Sequence, residues 1–275
     1  MIKYILPILL SILFTQCKHK HLSENILVID TLKLSDDFET VEEDDFTRRE
    51  KLIIKDAIEK CKNHLNDNSF STKYKYSDTI TEVEFEINYG HIFSSKFKHL
   101  VIKREGIDAI NTYIYLFKNN TLNSVVKYYA SSMTSQNDSI QDVNGDNDKD
   151  FVANWYGSSG CCLKDFYDVY ILNPQNGTFS NQFRFINPTF SPKEHIIRGV
   201  EYGQPGETDL YKYKWNGLKV DTIEYIHPYD SQKNCYSKSV FNPQNRKFEK
   251  VKLDSLPSEY STINDYDWFI LEKFD

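Results

Sequence analysis

Alternating apolar and polar positions dominate the chain from Thr81 onward. Val83, Phe85 and Ile87 alternate with glutamates, and further stretches follow the same pattern. They span residues 111–117, 123–129, 166–172 and 211–215. A period of two, in segments rich in aromatic and β-branched residues, predicts β-strands that pack one face against a core.

Short polar turns separate these stretches. One turn is predicted at residues 118–120, and Asn176-Gly177 and Asn216-Gly217 predict type I′ hairpin turns, because Asn and Gly readily adopt positive φ angles. Residues 170–179 are echoed at 239–248, each with Asn-Pro-Gln-Asn between an apolar pair and a phenylalanine. Such repeated strand–turn–strand units favour blade-like sheets. We therefore expect a mainly β fold, either a distorted β-propeller-like arrangement or a sandwich of antiparallel sheets.

One stretch follows a helical period instead. Thr47-Arg48-Arg49-Glu50 has the pattern of a capping box, in which the Thr47 and Glu50 side chains each bond a backbone amide of the other's residue. Apolar residues then recur on one face of the predicted helix, namely Phe46, Ile53, Ile54, Ala57, Cys61 and Leu65. This spacing predicts one N-terminal amphipathic helix that covers a face or an end of a sheet.

The first 16 residues have the features of a signal peptide. Lys3 precedes an apolar run from Ile5 to Phe14, which is too short to span a bilayer. Residues 14–17, Phe-Thr-Gln-Cys, resemble a lipobox, in which the cysteine is acylated and becomes the new N-terminus. The alternative is an ordinary secretory signal with an unrelated cysteine. The resemblance implies an envelope lipoprotein anchored through Cys17, in the outer membrane and facing the periplasm.

The remaining chain divides into a tether and a domain. Residues 17–45 are predicted to be a tether and acidic linker with a possible strand at 26–34, because seven acidic residues crowd between Asp36 and Asp45. Residues 46–275 are long enough for a single β-rich domain. The net charge of −7 argues against nucleic acid as a partner.

Four cysteines lie beyond Cys17. They are Cys61, Cys161, Cys162 and Cys235. In an oxidising periplasm, an even number permits two disulfides, and a vicinal bridge or buried free thiols are the alternatives.

Side-chain oxygens recur at every second position of one acidic segment. They belong to Asp142, Asn144, Asp146, Asp148 and Asp150. Because Ca²⁺ prefers six to eight oxygen ligands, this loop is a candidate calcium site. It is not an EF-hand, since Gly145 stands at the fourth position of the loop and Ala153 at the twelfth. The alternative is an acidic surface turn that holds no ion.

The acidic loop and the residues after it resemble known proteins. Asp-Val-Asn-Gly-Asp at 142–146 resembles the calcium loops of FG-GAP and VCBS-type repeats, which lie between strands of propeller-like blades. A Gly/Ser loop at 157–160, a strand at 167–172 and the segments 187–193 and 207–217 follow it. In that order, over residues 110–225, they resemble periplasmic lipoproteins that inhibit lysozyme-like peptidoglycan hydrolases, some of them immunity proteins. The resemblance implies a calcium-binding inhibitor with a propeller-like fold, not an enzyme.

The segment from Trp155 to Asp168 is the predicted partner-binding loop. Its contact residues are predicted to be Trp155, Tyr156, Ser158, Ser159, Gly160 and Tyr167. Adaptable Gly and Ser beside aromatic residues suit a loop that fills a cleft. One short strand separates this loop from the calcium loop, so we expect the ion to fix its base. The alternative is a hairpin connection whose aromatic residues belong to the core. The loop departs from related inhibitors, because it carries Cys161-Cys162 and lacks their Ser-Gly-x-x-Tyr spacing.

Signals of catalysis are weak in this sequence. Gly157-Ser158-Ser159-Gly160 lacks the Gly-x-Ser-x-Gly spacing of a nucleophile elbow, and no His-Glu-x-x-His pair occurs. We expect a non-enzymatic lipoprotein that binds and inhibits a cell-wall hydrolase or contacts another envelope protein. A carbohydrate-binding or adhesion module of the envelope is the alternative.

Overall fold

The computed structural model describes residues 26–28, 45–79, 81–157, 162–230 and 235–271. Its strands form three antiparallel sheets. The first sheet contains β1 (Ile26–Val28), β2 (Ser69–Ser77), β3 (Glu82–Gly90), β4 (Lys98–Glu105), β5 (Ala109–Lys118) and β6 (Thr121–Ser131). The second contains β7 (Ser135–Gln141), β8 (Asp150–Tyr156), β9 (Asp165–Tyr170) and β10 (Phe183–Ile186). The third contains β11 (Pro188–Ser191), β12 (Ile196–Val200), β13 (Leu210–Asn216), β14 (Lys219–Asp230), β15 (Cys235–Asn242) and β16 (Lys247–Leu253).

Neighbouring strands in each sheet are mostly consecutive in the chain. β2 to β6, β7 to β10 and β11 to β16 pair in sequence order, and β1 adds to the free edge of β6. The expectation of a mainly β fold of antiparallel sheets with one long helix near the N-terminus is confirmed. Of the two architectures considered, the sandwich of sheets is the one that describes it.

Four apolar layers hold the sheets together. Helix α1 (Asp45–Cys61) packs on one face of the first sheet through Ile53, Ala57 and Cys61. The other face of the first sheet packs on the second sheet, and the second sheet packs on the third. The fourth layer joins the third sheet to the C-terminal segment with helix α2 (Tyr266–Ile270). Among the described residues, no helix is both long and apolar enough to cross a membrane.

Helix α1 begins earlier than its sequence pattern predicts. Its first residue is Asp45, so Thr47 lies inside the helix and the predicted capping box is wrong. The Glu50 carboxylate turns to the first sheet instead, where it accepts hydrogen bonds from Tyr113 Oη (2.5 Å) and Asn111 Nδ2 (3.3 Å). It also lies 3.3 Å from Arg104 Nε in a largely buried ion pair. The buried guanidinium needs a counter-charge, and this requirement decides where Glu50 points.

Two of the predicted turns have a different geometry. Asn216 pairs with Lys219, so Gly217 is the first central residue, and it is the central residue with positive φ (57°). That is the requirement of a type II′ turn, not type I′. Asn176-Gly177 lies in a wider connection, in which Asn173 N donates to Thr178 O. The turn with positive φ at both central residues, as type I′ requires, is Asn119-Asn120.

The two copies of the sequence repeat form the same turn. Asn173 Oδ1 accepts from the amide of Gln175 (3.0 Å), and Asn242 Oδ1 accepts from the amide of Gln244 (2.9 Å). The second asparagine of each copy, Asn176 or Asn245, accepts from an amide two residues later. Short polar side chains that bond their own backbone therefore fix this conformation in the second sheet's connection and again in the β15–β16 hairpin.

The N-terminal and cysteine predictions are tested in part. Residues 26–28 of the possible strand 26–34 do form β1, whereas the signal peptide, Cys17 and Cys161 lie outside the described residues. Cys61 and Cys235 are buried free thiols. For these two residues, the alternative of free thiols therefore holds, not the disulfides. Burial raises the pKa of the Cys61 thiol to about 12, and its Sγ donates to Ala57 O (3.2 Å).

Candidate functional site: the apolar loop end

Three chain connections meet at one end of the first and second sheets. They are residues 106–108 between β4 and β5, residues 132–134 between β6 and β7, and the connection after β8, of which Gly157 and residues 162–164 are described. Ser132 links the first two, because its hydroxyl donates to Ile107 O (2.6 Å) and its amide donates to Asp108 O (3.1 Å). The Tyr156 amide donates to Thr134 O (2.8 Å), which joins the end of β8, where the third connection begins, to the second connection. We call this region the apolar loop end.

The first two connections and the end of β8 each present an apolar side chain to solvent. Ile107 and Met133 are each 88% exposed, and Tyr156 is 39% exposed. Exposed apolar side chains are common singly, but a group of them on bonded neighbouring loops is typical of an interaction surface. Two of these three residues were not expected from the sequence, where Ile107 and Met133 are lone apolar residues in polar turns.

Polar side chains hold the base of the third connection. Asn154 Nδ2 donates to Asp165 Oδ1 (2.5 Å) and to Phe166 O (3.2 Å) across the mouth of the hairpin. Asn187, which is fully buried with a positive φ of 47°, accepts from the Asp165 amide and donates to Val200 O (3.0 Å). The base of the loop is therefore fixed by the second sheet and by its junction with the third.

This arrangement corrects one expectation from the sequence. The acidic loop at 142–150 and the partner-binding loop lie at opposite ends of β8, roughly 20 Å apart at ~3.3 Å rise per residue. An ion in the acidic loop would not touch the base of the partner-binding loop. The hydrogen bonds of Asn154, Asp165 and Asn187 fix the base of the partner-binding loop instead.

The predicted contact residues of this loop are not all placed alike. Trp155 is half-buried on the face of the second sheet turned to the first, and Tyr156 lies at the exposed tip. Tyr167 lies on the opposite face and packs against the core shared with the third sheet. Ser158, Ser159 and Gly160 lie outside the described residues.

Trp155 has an arginine partner that sequence reasoning missed. The Arg184 guanidinium lies over the Trp155 ring at 5.1 Å, and the ring stacks on Phe166 with centroids 4.2 Å apart. The buried Asp168 carboxylate orients both groups, since it accepts from Arg184 Nε (2.7 Å) and Trp155 Nε1 (2.9 Å). Half of the Arg184 side chain stays exposed beside the apolar loop end. No sequence spacing indicates this contact, because 29 residues separate Trp155 and Arg184.

The acidic loop curls around its own side chains. Asp142 accepts from the amides of Gly145 (2.6 Å) and Asn147 (3.0 Å), and Asn144 Oδ1 accepts from the Asp146 amide (3.0 Å). Asp146 Oδ1 in turn accepts from the Asp148 amide (2.9 Å). The five candidate ligand residues thus follow one tight turn, in which alternate side chains return toward the backbone.

Asp150 closes the acidic loop from inside. It is fully buried, and its two oxygens accept from the amides of Val143 (3.1 Å) and Leu172 (2.9 Å). Burial, together with the carboxylates of Asp146 and Asp142, raises the pKa of Asp150 to about 7, although the two amides lower it. Among the described residues, no group of three or more Asp, Glu, His or Cys side chains lies close enough to hold a metal. Calcium binding stays a prediction.

The acidic loop is docked on the third sheet. His195 Nδ1 lies 2.6 Å from Asn144 O, and Gly145 approaches the carbonyl of Pro192 so closely that a Cβ would overlap it. The loop therefore bridges the second sheet, where Asp150 begins β8, and the turn that precedes β12.

Comparisons with known proteins give one partial similarity. No known protein family's sequence profile matches the chain, and no curated protein sequence matches it. A solved structure of a Xanthomonas type IV secretion system related protein is 13% identical, with a TM-score of 0.35, and the similarity covers 68% of this chain and 95% of that chain.

Proposed function

We propose that this protein is a cell-envelope lipoprotein that binds and inhibits a lysozyme-like peptidoglycan hydrolase through the apolar loop end. The observation that carries the proposal is the group of hydrogen-bonded neighbouring connections that exposes Ile107 and Met133, together with Tyr156 at the end of β8. A hydrolase of this class has an elongated substrate cleft, and protruding loop tips with apolar side chains suit such a concave partner.

The fixed base of the loop supports inhibition. A loop that is already held by Asn154 and Asn187 loses less conformational entropy when it binds. Arg184 and Trp155 beside it are residue types enriched at the energetic centres of protein interfaces. Ser158, Ser159 and Gly160 remain the predicted adaptable part of the contact.

The acidic loop is the proposed site of a structural Ca²⁺. Asp142, Asn144, Asp146, Asp148 and Asp150 would supply oxygen ligands, which are the ligands that Ca²⁺ prefers. Burial is the main cause of the raised pKa of Asp150, and the nearby carboxylates of Asp146 and Asp142 add to it. A cation in the loop would offset that repulsion. The ion would join the second and third sheets and act on stability, not on the apolar loop end.

Inhibition assays test the proposed function. The purified protein is added to lysozyme-type hydrolases of its own source, and the release of soluble peptidoglycan fragments is followed. We expect stoichiometric inhibition of at least one hydrolase and no retention on peptidoglycan without a protein partner. Retention on peptidoglycan with no inhibition of any hydrolase would support the carbohydrate-binding alternative and contradict the proposal.

A further inference from the structure

Asp209, His227 and Ser239 form a continuous hydrogen-bonded chain on the third sheet. His227 Nδ1 lies 3.0 and 3.1 Å from the two Asp209 carboxylate oxygens, and His227 Nε2 lies 2.8 Å from Ser239 Oγ. A hydroxyl, an imidazole and an orienting carboxylate in this order are the parts of an activated serine nucleophile. We propose that Ser239 is a reactive nucleophile that accepts the acyl group of small carboxylic esters.

The strands place the three residues independently of the apolar loop end. Asp209 immediately precedes β13, His227 lies in β14 and Ser239 lies in β15. Leu210 pairs with Ile226 and Tyr225 pairs with Ser239, so the three side chains share one face of the sheet. Paired strands hold such side chains more firmly than loops do.

Solvent reaches this group of side chains through His227 and Asp209. The described core between the second and third sheets takes its third-sheet residues from β11 to β14 and the β13–β14 turn, and none from β15 or β16. The side chains of His227 and Asp209 are 30% and 34% exposed, whereas Ser239 is 8% exposed. Because so little of Ser239 is exposed, small acyl groups, such as acetyl, suit this site best.

Neighbouring side chains complete the site. Lys250 of β16 lies directly opposite Ser239, and Lys252 lies opposite Ser237. Directly paired residues have Cβ atoms about 5 Å apart, so the Lys250 ammonium can reach an oxyanion that forms at Ser239. The rings of Tyr225 and Phe248, 5.7 Å apart, form an apolar wall beside them. The two lysines favour esters of anionic molecules.

The reaction follows from these positions. His227 Nε2 takes the proton of Ser239 as Oγ forms a bond to the ester carbonyl carbon. The carbon–oxygen bond to the alcohol then breaks, and His227 returns the proton to the departing alcohol. Water, deprotonated by His227, then forms a bond to the acyl carbon. The bond from that carbon to Ser239 Oγ breaks, His227 returns the proton to Ser239, and the carboxylic acid leaves.

A fluorophosphonate probe tests the nucleophile directly. Ser239 Oγ should displace fluoride from phosphorus, with its proton passing to His227, and mass spectrometry of the digested wild-type protein should place the adduct on the Ser239 peptide. Ser239→Ala should abolish the adduct. Ser237→Ala is the matched control, on the same strand and face, and should label like the wild type. No adduct on the wild type, or an adduct on another residue, would overturn the proposal.

Asp209 acts through His227 and is a positioning residue. Asp209→Asn should slow both labelling and hydrolysis of 4-nitrophenyl acetate at least tenfold, and Asp209→Glu should restore part of the rate because it keeps a carboxylate. If the two variants have equal rates of labelling and hydrolysis at equal melting temperature, the Asp209 carboxylate does not position His227.

Discussion

Gly145 connects the acidic loop to the third sheet by a contact that no other residue type allows. Its φ of +85° favours glycine, and an added Cβ would overlap Pro192 O. Gly217 has a similar φ of +57°, but nothing lies within 4 Å of its would-be Cβ. Alanine at Gly217 would cost only backbone strain, whereas alanine at Gly145 would cost both backbone strain and overlap of its Cβ with Pro192 O. Comparing the two substitutions therefore separates these costs.

Alanine substitutions at these two glycines should lower the free energy of unfolding by different amounts. Gly217→Ala should lower the free energy of unfolding by about 1 kcal/mol, the cost of a positive φ for alanine. Gly145→Ala should cost about 3 kcal/mol, because the loop must also move away from Pro192. Urea denaturation of both variants measures this difference. Equal losses would show that the close contact with Pro192 has no energetic weight.

Single residues were predictable from sequence where local chemistry decides their conformation. Both Asn-Pro-Gln-Asn segments adopt the same turn, because the asparagine side chains accept hydrogen bonds from nearby backbone amides. Glu50 was not predictable in this way, since its partner Arg104 lies 54 residues away. The turn type at Gly217 depends on strand register, which the dipeptide Asn-Gly does not encode.

At the scale of elements, Glu50 fastens α1 to the first sheet. Glu50→Ala leaves the Arg104 guanidinium and the Tyr113 hydroxyl without this carboxylate, and it should lower the free energy of unfolding by about 3 kcal/mol. Glu59→Ala is the control on the same helix, because the Glu59 side chain, paired with Lys62, is mostly exposed. It should cost less than about 0.5 kcal/mol. Similar losses in chemical denaturation would contradict the anchoring role of Glu50.

The acidic loop is the second element with a testable role. A bound Ca²⁺ at a hundredfold excess over its Kd would stabilise the fold by about 2.7 kcal/mol, so chelation should lower the melting temperature of the wild type. Asp146→Ala should melt at the same temperature with calcium and with chelator. Asp254→Ala, an exposed aspartate after β16, should keep the calcium response. Unchanged melting of the wild type on chelation would exclude a structural calcium.

Element types were predicted best where the pattern is long and periodic. The apolar stripe of α1 is buried as expected, and β3, β5, β6 and β13 contain the alternating stretches. The edge strand β2 was not predicted, because its side chains are half-buried or exposed and its composition is rich in lysine and serine.

At the scale of the whole molecule, consecutive pairing explains both the fold and the site. Strands that pair with their chain neighbours place alternate connections at one end of a sheet, and this brings residues 106–108, 132–134 and 157 together. The sequence indicated the third connection through its aromatic and glycine content. It could not indicate Ile107 or Met133, because their proximity depends on how the first and second sheets pack.

The proposed lipid anchor is tested by localisation. Cys17→Ser removes the thiol that lipidation requires, so the variant should appear in the soluble periplasmic fraction and the wild type in the membrane fraction. The intact mass of the wild type should include the lipid. A variant that stays in the membrane fraction with the same mass as the wild type would refute the anchor.

The most direct test of the central claim is the inhibition constant of the double variant Ile107→Ser/Met133→Ser against a hydrolase that the wild type inhibits. Both side chains are exposed and touch little, so the free energy of unfolding should change by less than about 0.5 kcal/mol. Val251→Ser, at an exposed position on the far edge of the third sheet, is the control. We predict at least a tenfold weaker inhibition by the double variant, about 1.4 kcal/mol, and no change for the control. Inhibition by the double variant equal to that of the wild type would contradict the assignment of the apolar loop end as the binding surface.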